Sequence, residues 1–171
     1  MQREARTEGT GAEERQIVAM HLGNEVYGVD IAHIHTVITP NPITPVPQTP
    51  EYVEGVMNLR GRILPVIDLR KRFKVGDAER NDNYRIVIVE VDGLSAGLIV
   101  DTVSEVLRLK SDEIQQPSEL LDSAEIEVIT GIGRVPLHGK GDCFILLLDV
   151  LKTLTHAAFD VSALAKLQEA A

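Results

Sequence analysis

The sequence predicts an all-β fold, a β-sandwich or a set of small barrels, and three observations point there. Roughly ten short apolar runs follow one another between Gln16 and Leu154, bounded by Gly, Asn, Asp or Pro. The chain has no Trp and only 4% aromatic residues, so its core must be assembled from Val, Ile and Leu. Of these, the β-branched side chains pack well on pleated surfaces. No helical-period stretch among these runs is long enough to serve as the crossovers of a parallel α/β sheet. A length of 171 residues fits one domain or two small lobes sharing a core.

Residues 1–15 are polar, rich in Glu, Arg, Thr and Gly, and without apolar periodicity. They read as a disordered N-terminal tail. Ile17–Leu22 and Glu25–Val29 form the first pair of runs, turning at Gly23-Asn24. Ile31, Ile34, Val37 and Ile38 read as a turn leading into a strand. Thr39–Pro50 carries five prolines. Proline lacks an N–H and fixes φ, so this segment is extended or looped, a rigid connection along a sheet edge.

Gly55–Leu59 and Ile63–Ile67 flank Arg60-Gly61-Arg62 and read as a hairpin. Gly61 takes positive φ without a steric cost, so the reversal sits there. The apolar flanks anchor the hairpin and leave Arg60 and Arg62 on display, each with a planar fork of donors. Such a turn suits docking to another protein; it contains no nucleophile and no general base. Leu69–Phe73 follows as one helical turn, and Val75–Asn83 as a polar loop.

Tyr84–Val91 and Leu94–Val100 join at Asp92-Gly93, a hairpin signal, and Val103–Leu109 comes next. Lys110–Glu127 reads as loop with helical turns at Ser111–Ile114 and Ser118–Leu121. Val128–Val135 and Cys143–Leu148 are the last two strands, around the glycine-rich Leu137–Gly141 turn. Residues 155–171 read as a C-terminal helix, with Val161, Leu164 and Leu167 near one face.

A net charge of −9 repels phosphate backbones and anionic membrane surfaces, which excludes general nucleic-acid binding. No apolar stretch approaches a membrane span, so no direct membrane insertion is expected, and no basic-then-apolar signal opens the chain. Cys143 is the only cysteine and lies in an apolar run. It is expected to be a small buried hydrophobe in a reducing cytosol. His33 and His35 alternate as on one strand face, but nothing nearby completes a metal site, and they read as solvated or partly buried histidines. Asp68, Asp101 and Asp149 each follow an apolar run and are expected to cap turns or to pair with arginines such as Arg70. Gly131-Ile132-Gly133-Arg134 lacks the third glycine and the following helix of a phosphate loop, so it reads as strand glycine at a bulge or close approach. No catalytic residue is assigned, no serine sits in a nucleophile elbow, and no cofactor or metal is required.

Asn58-Leu59-Arg60-Gly61 followed by Pro65-Val66-Ile67-Asp68-Leu69-Arg70 resembles the CheW family, the adaptors that couple bacterial chemoreceptors to the histidine kinase CheA. The other matching pieces are Val26-Tyr27-Gly28-Val29-Asp30-Ile31, Thr49-Pro50-Glu51-Tyr52-Val53-Glu54-Gly55, Val100-Asp101-Thr102-Val103-Ser104-Glu105-Val106-Leu107 and Ile129-Thr130-Gly131-Ile132-Gly133. Their order and spacing together carry the resemblance. It implies two five-stranded SH3-like β-barrels sharing a core over residues 16–154, with the C-terminal helix at 155–171.

The same resemblance implies a non-enzymatic chemotaxis adaptor in the cytoplasm, recruited to membrane receptor arrays. Its partners are the regulatory domain of CheA and the cytoplasmic tip of chemoreceptors. Arg60, Gly55 and Ile34 match positions of receptor contact, and Asn58 lies in the same motif. Receptor tips are helical hairpins, so the implied mode is a helix in a groove. The kinase-binding residues are not located. At Thr36, shortly after Ile34, many relatives carry a charged residue, a departure that bears on receptor class and affinity. Two other readings stand beside this one. The chain serves a related chemosensory pathway, for pilus motility or second-messenger control, or it is a small β-barrel enzyme or ligand-binding protein. The last would need polar groups converging on a pocket, and the sequence offers none. The chain carries no appended receiver-like segment or kinase motif, so a stand-alone adaptor is expected.

Overall fold

The computed structural model describes residues 14–75, 82–116, 128–137 and 141–155. The strands are β1 (Glu14–Leu22), β2 (Glu25–Asp30), β3 (Ile34–Ile38), β4 (Val53–Leu59), β5 (Arg62–Asp68), β6 (Arg85–Val91), β7 (Leu94–Val100), β8 (Thr102–Lys110), β9 (Ile114–Gln115), β10 (Ile129–Leu137) and β11 (Gly141–Leu148). Two short helices, α1 (Leu69–Phe73) and α2 (Val150–Thr155), and 3-10 turns at Ile31–His33 and Ser111–Glu113 complete the described elements.

The strands form two sheets, of order β8-β1-β2-β11-β10-β9 and β3-β6-β7-β5-β4. Neighbours are antiparallel except β11 with β2 and β5 with β7. The chain is thus mostly β, as expected, and consistent with two SH3-like barrels. The sixth strand of the larger sheet is the two-residue β9, set on β10 by Ile132 and Gly133.

Three apolar clusters explain why so many strands read as unbroken apolar runs. Ile17, Leu109, Ile145 and Leu147 fill the six-stranded side. Met57, Leu64, Val66, Ile86, Ile88 and Ile99 fill the five-stranded side. A third cluster draws from both sheets, with Met20, Leu22 and Val29 from one and Ile67, Val87, Val89, Leu98 and Val100 from the other. Period-2 alternation sorts the residues: on β6, Ile86 and Ile88 point into their own barrel, and Val87 and Val89 into the shared core. On β1 the register shifts between Val18 and Met20. The same alternation sends Ile17 and Ala19 to one cluster and Met20 and Leu22 to the other.

α1 ties the two sheets together. Asp68 opens it by accepting from the Arg70 N–H at 3.0 Å. Arg70 Nη1 meets Asp101 Oδ1 at 3.1 Å, and the other Asp101 oxygen accepts from the Gly23 N–H of the β1–β2 turn at 2.8 Å. Phe73 stacks on Tyr27 of β2 at 5.1 Å, and the Arg72 guanidinium lies over both Tyr52 and Phe73. Asp149 caps α2 through the Lys152 N–H at 2.9 Å. The three aspartates expected to cap turns or pair with arginine do so.

Several boundaries differ from the sequence reading. Glu14 and Arg15, placed in the tail, belong to β1 and pair with Lys110 and Leu109. Backbone pairing needs no apolar side chain, so composition does not reveal it; the rest of the tail lies outside the described residues. Helix α2 is an element the sequence reading lacks, although Val150, Thr153 and Leu154 are its buried face at helical spacing. The C-terminal helix, from residue 156 on, and the turn at Ser118–Leu121 lie outside the described residues. Cys143 is half-buried against the six-stranded side's cluster rather than fully buried. Gly131 follows a register shift on β10, as the strand-glycine reading requires.

Candidate functional site

The β4–β5 hairpin turns through two residues. Arg60 has φ 54° and Gly61 φ 86°, so both central positions are left-handed, the mark of a type I′ turn. Gly61 adopts this freely, whereas Arg60 is one of four non-glycine residues with positive φ among those described. Asn58 Oδ1 accepts from the Gly61 N–H at 2.8 Å and holds the turn closed. Arg60 is exposed, and its side chain has no hydrogen-bond or ion-pair partner among the described residues.

Arg60 stands at a cleft of about 280 Å³ lined by His35, Thr36 and Ile38 of β3, Leu59, Arg62, Ile88 and Ser95. The cleft lies where the hairpin tip approaches β3, the opposite edge of the same sheet. Its apolar part is Ile38, Leu59 and Ile88, all members of or packed against the five-stranded side's core. Its polar wall is an ordered cluster. Arg62 Nη2 donates to Ser95 Oγ at 3.0 Å, Arg62 Nη1 lies 3.7 Å from Glu90 Oε2, and the Ser95 hydroxyl donates to that same oxygen at 3.2 Å.

The four residues singled out for receptor contact occupy different settings. Arg60 alone lines the cleft. Asn58 is exposed but its side chain is committed to the turn. Ile34 is half-buried and packs on the shared core beneath β3. Gly55 is buried, has φ 139°, and faces the proline-rich segment: a Cβ there would overlap the Thr44 carbonyl oxygen and stand 2.8 Å from Pro45 Cα. Thr44 and Val56 exchange backbone hydrogen bonds of 2.8 and 2.9 Å, so the proline-rich segment runs along the β4 edge as expected. Gly55 therefore acts on the surface through this segment.

Sequence reasoning missed the Arg62–Ser95–Glu90 cluster and the part His35 plays in the cleft wall. The cluster joins β5 to the β6–β7 hairpin across thirty-three residues of sequence, a contact that only the strand register reveals. His33 and His35 do not share a strand face, since His33 belongs to the 3-10 turn and His35 to β3. Among the described residues no group of three His, Cys, Asp or Glu side chains is placed to hold a metal ion. A second concavity on the six-stranded sheet is lined by Asp112, Glu113, Gln115, Ile132, Arg134 and Phe144. Glu113 there is engaged with the Lys110 N–H at 2.8 Å, and Phe144 is 54% exposed. The first concavity sets the exposed Arg60 guanidinium beside the apolar side chains of Ile38, Leu59 and Ile88, an arrangement that can bind.

Residues 16–158 match the family model of the CheW-like domain. The chain is 35% identical over 147 residues to the chemotaxis protein CheW of Treponema pallidum, covering 82% of each chain. It is 31% identical over 141 residues to that of Klebsiella aerogenes, again covering 82% of each. The crystal structure of the scaffolding protein TtCheW from Thermoanaerobacter tengcongensis superposes with a TM-score of 0.73 at 37% identity, covering 83% of this chain and 88% of that one.

Proposed function

The chain belongs to the CheW family of chemotaxis scaffolds, and on that premise we propose that it couples chemoreceptors to the histidine kinase CheA as a non-enzymatic adaptor. One face holds the cytoplasmic tip of the receptor, and another holds the regulatory domain of the kinase. Signal-dependent changes in the receptor then bias the kinase through differential contacts in its two states, with binding energy alone supplying the coupling. No cofactor takes part. The protein works in the cytoplasm and reaches the membrane through its receptor; no helix among the described residues is long and apolar enough to cross one.

The observation that carries the receptor face is Arg60. Its guanidinium is unpartnered among the described residues, stands on a turn closed by Asn58, and borders a cleft with apolar walls. A helical hairpin laid along β3 and the β4–β5 turn would place apolar residues over Ile38 and Leu59 and a polar one at Arg60. The tight inter-barrel contacts through α1 suit a scaffold that must keep its two faces in a fixed relation.

Arg60→Ala tests this reading. The side chain is exposed and unpartnered, so the thermal unfolding midpoint should be unchanged. Truncating an anchoring arginine at an interface costs about 2 kcal/mol, or about thirtyfold in affinity for the receptor tip. Affinity for the CheA regulatory domain should change far less. Wild-type affinity for the receptor with the fold intact would remove Arg60 from the receptor site.

A further inference from the structure

We propose that Glu90 is a specificity-setting residue of the Arg60 cleft: by neutralising Arg62 it leaves one guanidinium, that of Arg60, to receive one carboxylate of the docking protein. This rests on the reading that the Arg60 face binds the receptor tip, and it goes further by fixing the charge that tip must present.

Two arginines flank Gly61 and both line the cleft. Their side chains differ in what they meet. Arg62 is held twice, by the Ser95 hydroxyl at 3.0 Å and by the Glu90 carboxylate at 3.7 Å. Ser95 is only 6% exposed and sits directly across the β6–β7 ladder from Glu90, so the strand register itself brings the hydroxyl and carboxylate together. Glu90, Ser95 and Arg62 form one unit spanning three strands, with its opposite charges cancelled. Arg60 has no such partner among the described residues. The remaining lining is the apolar Ile38, Leu59 and Ile88 and the polar Thr36 and His35.

A cleft with apolar walls strengthens the field of whatever charge lines it. With Glu90 in place, that field comes from one arginine. A docking surface with a single carboxylate among apolar residues is matched; a second carboxylate near Glu90, whose side chain is 48% exposed, meets a like charge. Glu90 thus contributes selection by repulsion as well as by cancelling Arg62.

The test measures how binding depends on salt. The probe is a soluble fragment of a chemoreceptor hairpin tip from the organism that carries this chain. Its affinity is measured from about 50 mM to about 500 mM salt for wild type, Glu90→Gln, Arg60→Ala and the double variant. Glu90→Gln should bind up to about fivefold tighter at low salt, the scale of one exposed ion pair, with a steeper loss as salt rises. The double variant should return to the wild-type salt slope, because one free arginine remains. A Glu90 that served the fold alone would lower the unfolding midpoint and the affinity together at an unchanged slope. That result, or equal slopes for wild type and Glu90→Gln, overturns the proposal. Unchanged binding by Arg60→Ala overturns the docking reading and the inference with it, and is distinguished because it concerns Arg60 alone.

Discussion

Gly55→Ala adds one methyl group where β4 meets the proline-rich segment, and its cost follows from the local geometry. The backbone at Gly55 has φ 139°, a region side chains rarely enter, and forcing a residue there costs about 1–3 kcal/mol. The new Cβ would overlap the Thr44 carbonyl oxygen and lie 2.6 Å from the carbonyl carbon, with backbone atoms that cannot swing aside. Relief requires the segment to lift, which sacrifices the Thr44–Val56 hydrogen bonds of 2.8 and 2.9 Å, each worth about 0.5–1.5 kcal/mol net. A loss near 4 kcal/mol is expected, about 8–16 °C in Tm for a protein of this size. Differential scanning calorimetry reads the shift, and hydrogen exchange at the Thr44 and Val56 amides reads the lifting. Gly61→Ala is the internal contrast: φ is 86° there but a Cβ meets nothing within 4 Å, so only the left-handed backbone cost of about 1–2 kcal/mol applies. A Gly55→Ala protein with wild-type Tm and wild-type protection at both amides would show that the Thr44 segment does not confine position 55.

Asp101→Ala should destabilise by about 2–3 kcal/mol in urea unfolding, below the full cost of breaking a buried pair because some solvent reaches it; its side chain and that of Arg70 are 17% and 11% exposed. Asp101→Asn, which keeps an acceptor for the Gly23 N–H, should lose less, and equal losses would show that the charge is immaterial. Tyr27 gives a pH prediction. Burial first, and then the Glu25 carboxylate that accepts from its hydroxyl at 2.7 Å, raise its pKa above the ordinary 10.0. The unfolded chain therefore gives up this proton at lower pH than the folded one, so the stability contribution is full below the unfolded value and is lost as pH rises above it. Urea unfolding from about pH 8 to about pH 11 should show a decline that Tyr27→Phe flattens; parallel curves for the two proteins would contradict the sign.

Much of the fold was legible because turns announce themselves locally. Gly23-Asn24, Arg60-Gly61 and Asp92-Gly93 each close a hairpin where the sequence places one. The short apolar runs between them identify strands, and the aspartates at the end of β5 and just after β11 cap the helices that follow. What the sequence hides is set by pairing over distance. The parallel partnership of β5 with β7 and of β2 with β11 leaves no local mark. β6 and β7 bury both faces, so their runs lack the alternation that would tell one face from the other. The proposed docking face was half legible. Arg60 stands out as a charge between two apolar strands, and the motif resemblance points to it. Arg62 looks equivalent in sequence and is not, because Glu90 and Ser95 meet it only once β6 and β7 are in register. Gly55 reads as part of a surface, yet Thr44 covers it.

The claim that this chain joins a receptor to a kinase can be checked by co-sedimentation. Receptor-containing membranes are pelleted with the purified chain, with CheA, and with both. The chain should pellet with the membranes and increase the recovery of CheA. Arg60→Ala should lower recovery of both proteins while leaving the soluble complex of chain and kinase intact. Recovery of the chain with membranes in neither the presence nor the absence of CheA would contradict the claim.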